Sequence, residues 1–278
     1  LSLLMLRHSV LRATFNQDNE DHELVQDFDK VEALFPLQEW DLQLLDASER
    51  TVVVQRNIKK EATEPFSLSM GPLVRGQLIK LMTDQYVFIV CMHHIVCDGL
   101  SHGIFCKDVS ELYNNIVRGD KRELAKLELQ FSDFARWQKL ELLGSTKLSV
   151  GLEYWQQTLA GIPVSHSLVT DRARRDMPTF RGGRIGFVLD AILVTKLKLL
   201  STNIQGTLYI VLYAAFAALL SHFSCHADDI VIGTVSSGRS QAGLDSLIGF
   251  FVTTFALRIR VLRDVTFSSL AETAKNVI

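Results

Sequence analysis

Tyr86-Val87-Phe88-Ile89-Val90-Cys91-Met92-His93-His94-Ile95-Val96-Cys97-Asp98-Gly99 is the stretch that decides how this chain is read. Its first seven residues are apolar, β-branched or aromatic, and uncharged, which is the composition of a buried strand. Asp98-Gly99 is a turn signal. Beyond it Ile104, Phe105, Val109, Leu112, Tyr113 and Ile116 recur at helical spacing until Gly119, so a helix is expected over 100–118. The two histidines therefore fall in the turn between a strand and a helix, where a rigid scaffold presents reactive side chains. Side chains alternate along a strand, so His93 and His94 should not face the same cavity; one enters a cleft and the other packs behind it. Asp98 can neutralise a nearby cation or pin the turn. An arbitrary histidine pair is more often a core pair satisfied by the backbone. Metal ligation is disfavoured, since adjacent strand histidines diverge and no Glu-x-x-His or His-x-x-x-His companion accompanies them. The full pattern His-His-x-x-x-Asp-Gly is far more specific than its parts.

Working outward, 278 residues of which 47% are hydrophobic can bury one large core or two modest ones. A net charge of −2 and the lack of any Lys/Arg run give no electrostatic case for nucleic acid. Thr207 to Phe223 is the one membrane candidate. It is short for a span and polar at both ends, so it reads as a buried core helix, and no membrane partner is expected. Cys91, Cys97, Cys106 and Cys225 form neither a C-x-x-C nor a disulfide framework. His222, Cys225 and His226 lack a fourth ligand and read as a polar helix exit, so no metal is expected. No signal peptide is visible, and a reducing cytoplasm is the consistent compartment.

Strands are expected at Thr51 to Val54, Leu73 to Leu81, Tyr86 to Met92, Arg184 to Leu189, Asp229 to Ile232 and Thr253 to Arg260. Helical patterns occupy 100–118, 146–160, 191–202 and 207–223. This is an α/β mixture without a glycine-rich phosphate loop. Segment 161–178, with Gly161, Pro163, Asp171, Pro178 and several arginines, is the best linker candidate. Leu1 to Val10 and Ser268 to Ile278 read as apolar helical patterns cut at the chain ends.

Met92-His93-His94-Ile95-Val96-Cys97-Asp98-Gly99-Leu100-Ser101 resembles the active-site signature of nonribosomal peptide synthetase condensation domains, which belong to the chloramphenicol-acetyltransferase-like acyltransferases. Other stretches resemble the same family in order: Arg7-His8-Ser9-Val10-Leu11-Arg12-Ala13-Thr14-Phe15, Pro65-Phe66-Ser67-Leu68, Gly71-Pro72-Leu73-Val74-Arg75, Phe131 to Trp137, and Tyr154-Trp155. Thr179-Phe180-Arg181-Gly182-Gly183, Gly233-Thr234, Gly238-Arg239-Ser240 and Ile248 to Thr254 complete the set. The resemblance implies an α/β fold of two acyltransferase-like lobes in a V-shaped pseudo-dimer. The first lobe would be residues 1–160, carrying the histidine motif, and the second, incomplete, residues 161–278. It also implies an internal fragment, not expected to act by itself.

The activity implied is amide-bond formation between a carrier-bound donor thioester and the amino group of a carrier-bound acceptor. The partners implied are upstream and downstream peptidyl carrier domains and an adjacent adenylation domain. No cofactor is expected in the domain itself; the carriers supply the 4′-phosphopantetheine arms. His94 is the implied catalytic residue, supported by His93, Asp98, Gly99 and Arg239. By resemblance Arg239 is the partner of Asp98, whereas the sequence alone also leaves Arg258 and Arg7 eligible. Arg7, Arg12, Trp155 and Trp137 are read as scaffold, Phe250-Phe251-Val252 as core strand, and Cys97 as a variable position rather than a nucleophile. The family usually has Asn where this chain has Thr253, which weakens any direct role there. Related readings are an epimerization domain, an ester-forming domain and a non-catalytic module that recruits an oxygenase. Epimerization normally needs a second acid/base, and the recruiting modules tend to lose the signature.

Overall fold

Helix α1 (Ser2–Arg7) and a 3-10 turn (Ser9–Arg12) bring Leu4, Met5, Val10 and Leu11 into the core of the amino-terminal half, against Phe35, Leu73, Val74, Val96, Phe105 and Ile248. The computed structural model describes residues 1–17, 24–28, 30–120, 122–143, 145–163, 167–173, 177, 179 and 182–278. Phe180 and Arg181 of the glycine-containing stretch, and Pro178, Arg174 and Arg175 of the expected linker, lie outside the described residues.

Strands β1 (Thr14–Gln17) and β2 (Leu24–Asp27) pair antiparallel. A second sheet has β3 (Leu37–Asp41) parallel to β4 (Val74–Lys80), which pairs antiparallel with β5 (Tyr86–Met92), Val74 opposite Met92. The apolar run is thus a strand with the expected limits. Helix α2 (Ala47–Thr63) joins β3 to β4 and contains Thr51–Val54, which the sequence suggested as a strand. A reciprocal cap overrides that β-branched run: Asp46 accepts from the Glu49 N–H at 2.9 Å, and Glu49 from the Asp46 N–H at 3.1 Å. At its far end Glu61, buried, accepts from Arg75 and Gln77 of β4, each at 2.6 Å, and so fastens the helix to the sheet. Helices α3 (Gly99–Val117) and α4 (Phe131–Leu142) follow.

Helices α5 (Thr146–Thr158), α6 (Ala191–Asn203) and α7 (Leu208–Phe223) precede β6 (Asp229–Ser236), which pairs with β7 (Thr253–Arg260); α8 (Phe267–Val277) comes after. Val211, Ala214 and Ala217 of α7 pack with Ile230, Ile259, Leu270, Ala271 and Ala274. Among the described residues no single helix is long and apolar enough to cross a membrane. The Arg184–Leu189 stretch forms no strand. Ile185, Phe187 and Val188 are exposed, because no described strand pairs with it to turn the alternation into a buried face.

The chain divides into two compact units, Leu1–Gly144 with Ser237–Thr253, and Ser145–Ser236 with Thr254–Ile278. This differs from the expected break at 160/161 in two ways. Helix α5 belongs to the second unit, where Trp155 stacks on Phe255 and Arg258 donates to the Thr158 and Ala160 carbonyls, each at 2.9 Å. Residues 237–253 return to the first unit, held there by Arg239 on Asp98 and by Gly249 on Ser101.

Candidate active site

Strand β5 ends at Met92, and His94–Val96 form a single 3-10 turn before Asp98 caps α3. The two histidines are separated by this turn and not by the pleat, which stops before them. His93 is half-buried: its N–H donates to Leu73 O at 2.9 Å, its Nδ1 accepts from the Ile95 N–H at 3.0 Å, and its ring stands edge-on to Phe66. His94 is exposed. Among the described residues neither of its ring nitrogens has a hydrogen-bond partner; its ring lies edge-to-face with Phe250, centroids 5.2 Å apart. One imidazole is therefore committed to holding the turn, and the other is free to exchange a proton or bind a donor.

Asp98 is fully buried. Oδ1 accepts from the Ser101 N–H at 2.9 Å and the Ser101 hydroxyl at 2.7 Å, and Oδ2 from the Phe251 N–H at 3.2 Å. Arg239 Nη2 lies 3.1 and 3.2 Å from the two oxygens. Burial alone pushes this carboxyl up. The Ser101 and Phe251 hydrogen bonds and the Arg239 charge more than reverse that, holding it below the usual carboxylate range. The arginine is not forked onto the carboxylate. Its Nη1 donates instead to the Leu244 and Leu247 carbonyls at 2.6 and 2.7 Å, and its guanidinium stacks on the Phe251 ring, 4.0 Å from the centroid. The charged group thus pins both the turn before α3 and the loop 244–251. Of the arginines left eligible by the sequence, Arg258 pairs with Asp229 and Arg7 with Asp108.

Two glycines make this close approach possible. Gly238 has φ +66°, and a Cβ there would collide with the Phe251 carbonyl; a Cβ on Gly249 would collide with the Phe131 ring. Gly99, at the first position of α3, is different: nothing lies within 4 Å of where its Cβ would be. Its N–H is among those a helix leaves without an intrahelical acceptor.

Three features escaped the sequence reading. Ser101 is buried, and besides Asp98 its hydroxyl lies 3.0 Å from Gly249 O and 3.1 Å from Gly249 N. His8, also buried, sits 2.9 Å through Nε2 from Asp108 Oδ2, while its Nδ1 accepts from the Ile248 N–H at 3.4 Å. Phe250 is not core strand. Strand β7 begins only at Thr253, and Phe250 is 43% exposed beside His94, whereas Phe251 is buried against Phe131 and Phe134. The residues read as scaffold have structural contacts: Arg7 with Asp108 at 2.9 Å, Arg12 with the Met5 and Phe28 carbonyls at 3.0 and 3.1 Å, and Trp155 with Phe255. The Cys97 thiol is pushed up to about 11, by burial and then by the Asp98 charge, so it stays protonated at neutral pH and is no nucleophile. The described residues contain no group of three or more His, Cys, Asp or Glu placed to hold a metal ion.

The corner thus presents one imidazole, unpaired among the described residues, between strand and helix, backed by a buried aspartate–arginine pair. The condensation-domain family profile matches residues 1–278, and the chain belongs to that family. Malpinin synthetase of Mortierella alpina is 36% identical over 272 residues, 98% of this chain and 3% of the relative. Phosphinothricin tripeptide synthetase PhsC of Streptomyces viridochromogenes is 34% identical over 279 residues, 100% of this chain and 25% of the relative. Among solved structures, the X-domain from teicoplanin biosynthesis is similar with a TM-score of 0.84 at 26% identity, over 99% of this chain and 60% of that one. The first condensation domain of the calcium-dependent antibiotic synthetase is similar with a TM-score of 0.80 at 21% identity, over 100% and 63%. The fold is the chloramphenicol-acetyltransferase-like α/β fold of condensation domains. The chain spans about three-fifths of these solved structures and a quarter or less of these curated relatives.

Proposed function

We propose that this chain carries the catalytic corner of an amide-forming condensation reaction. A donor acyl or peptidyl group arrives as a thioester on one carrier protein, and an acceptor aminoacyl group on another. Each is tethered by the 4′-phosphopantetheine arm that its carrier supplies. The acceptor amine attacks the thioester carbonyl; a C–N bond forms, the C–S bond breaks, and the donor arm leaves as a thiol. The observation that carries the reading is the exposed His94 imidazole, with neither nitrogen hydrogen-bonded among the described residues, on a turn whose neighbours His93 and Asp98 are tied down.

Little chemistry is needed beyond this. A thioester is activated, and an α-amino group with pKa about 8 is partly free base at neutral pH. Bringing two tethered substrates together can supply much of the acceleration. His94 takes the proton from the attacking amine, which then passes to the departing thiolate, or holds the amine by a hydrogen bond. Either role suits an imidazole. We assign the Gly99 N–H, which has no intrahelical acceptor, as donor to the developing oxyanion, and the open space over Gly99 leaves room for substrate.

Loaded carrier proteins, assayed with the complete domain that contains this chain, provide the test. His94→Ala should cut product formation by roughly a hundredfold or more with the fold unchanged by circular dichroism, an order set by typical acid–base contributions. Gly99→Ala should melt at or above the native temperature, as nothing obstructs its methyl group, while slowing the reaction. Near-native condensation by His94→Ala would overturn the reading. The rival reading is a non-catalytic module that recruits an oxygenase. That reading requires no product from the complete domain that contains this chain, and binding of an oxygenase indifferent to His94.

A further inference from the structure

We propose that Phe250 sets the ring orientation of His94, and that Ser101 makes this possible by holding both polar backbone atoms of Gly249. This rests on the catalytic reading of His94 for its consequence, though not for the contact itself. General bases are commonly oriented by a hydrogen bond from the second ring nitrogen to a carboxylate or carbonyl. His94 has no such bond among the described residues. Asp98, the nearest carboxylate in sequence, spends both oxygens on Ser101, Arg239 and Phe251. What touches the His94 ring is the Phe250 ring, in the edge-to-face arrangement that aromatic rings favour, with centroids 5.2 Å apart.

An aromatic wall orients a ring only if the wall is itself fixed, and Phe250 is nearly half exposed with no deep pocket of its own. Its backbone supplies the rigidity. Residue 248 donates its N–H to His8 Nδ1 at 3.4 Å, and residue 251 donates to Asp98 Oδ2 at 3.2 Å. Between them, the Gly249 N–H donates to Ser101 Oγ at 3.1 Å, and Gly249 O lies 3.0 Å from the same oxygen. The single Ser101 proton is shared between Asp98 Oδ1 at 2.7 Å and that carbonyl, while Arg239 Nη2 donates to the hydroxyl at 3.2 Å. The hydroxyl therefore couples the buried charge pair to the peptide unit that aims Phe250. Gly249 is required there because Phe131 fills the space a Cβ would take. Phe250 is a positioning residue, and Ser101 acts one step further back through it.

The experiment pairs a spectroscopic with a kinetic readout on the protein assayed with loaded carriers. In protein carrying isotope-labelled histidine, Phe250→Leu should move the His94 ring resonances, because the neighbouring ring current is removed, while the other histidines stay in place. Phe250→Leu should lower kcat roughly tenfold with KM for the loaded carriers little changed, as expected when a group is misaimed rather than a substrate site lost. Phe250→Tyr keeps the ring and should restore the rate to within about threefold of native. Ser101→Ala should reproduce the His94 shift in smaller degree. In a His94→Ala background Phe250→Leu should cost nothing further, since a positioning residue has nothing left to position. Unchanged His94 resonances in Phe250→Leu, or rate losses that multiply in the double variant, would overturn the proposal. If His94→Ala alone keeps the native rate, the catalytic reading fails while the resonances still decide whether Phe250 orients the ring.

Discussion

Two aspartate–arginine pairs, one in each compact unit, have the same chemistry and should behave very differently. Asp229–Arg258 has the better geometry: Nε lies 2.9 and 3.2 Å from the two carboxylate oxygens and Nη2 2.6 Å from one of them, a forked contact. Asp98–Arg239 is longer and uses one nitrogen. Yet the side chains of the forked pair are 24% and 19% exposed, and those of the other 0% and 2%. Water can replace the partner of Asp229 and cannot reach Asp98. Burial, not bond length, decides which pair the fold depends on.

Three measurements would break or sharpen that contrast. The largest effect belongs to Asp98→Asn, which strands a buried guanidinium. Unfolding by denaturant should show a loss of about 3–5 kcal/mol, the range for breaking one partner of a buried pair. A double-mutant cycle with Arg239→Gln should be strongly non-additive, and strict additivity would show that the two charges do not act as a unit.

An intermediate effect is expected on acidification. The Asp98 carboxyl lies below its ordinary value in the folded chain, so in acid the unfolded chain binds more protons. The resulting stabilisation is complete above the unfolded carboxylate value of about 4 and is lost as pH falls through the folded one. Asp229 is lowered too, chiefly by the Arg258 hydrogen bond, and its contribution has the same sign and window. Melting temperature followed from pH 6 downward should flatten more in Asp98→Asn than in Asp229→Asn; the reverse order would contradict the ranking by burial. The smallest effect is expected of Asp229→Asn at neutral pH. It should shift the melting temperature only slightly, as exposed pairs do. A shift matching that of Asp98→Asn would mean that the forked geometry matters more than exposure.

The fold was most legible where pattern and punctuation agreed. The Tyr86–Met92 and Thr253–Arg260 strands have the limits their composition suggested, and α3 begins at the Asp98 cap. Thr51–Val54 misled because a run of β-branched residues was weighed without the Asp46/Glu49 capping box just before it, a signal present in the sequence. Strand β3 went unread because its parallel pairing with β4 is a tertiary fact that no local period encodes. The compact units part before α5 and not near 160 for a similar reason: Arg258 and Phe255, a hundred residues on, claim the end of α5.

The histidine corner stood out as a motif, and the pairing of Asp98 with Arg239 was suggested by family resemblance while the residues alone left three arginines open. Ser101 and His8 lay within quoted motifs with nothing to mark their tasks. Their partners are Gly249 and Ile248, backbone atoms that carry no sequence identity. Phe250 next to Phe251 illustrates the remaining gap. Two identical neighbours differ wholly in role, one buried under Arg239 and one exposed beside His94, and only the loop's path distinguishes them.

The first compact unit is discontinuous: Ser237–Thr253 joins it after the chain has passed through Ser145–Ser236. During synthesis from the amino terminus, the strand–turn–helix bearing both histidines is made long before its counter-charge. Asp98 waits 141 residues for Arg239 and 153 for the Phe251 amide, and His8 waits 240 for Ile248. Until then a carboxylate destined for a dry interior must stay hydrated, so the amino-terminal portion has reason not to close prematurely. The contacts that lock the reactive corner are also those with the greatest loop-closure cost. Assembly of the site is therefore a late event, and a ribosome-bound nascent chain ending before residue 239 should display the whole signature without yet having built the corner it belongs to.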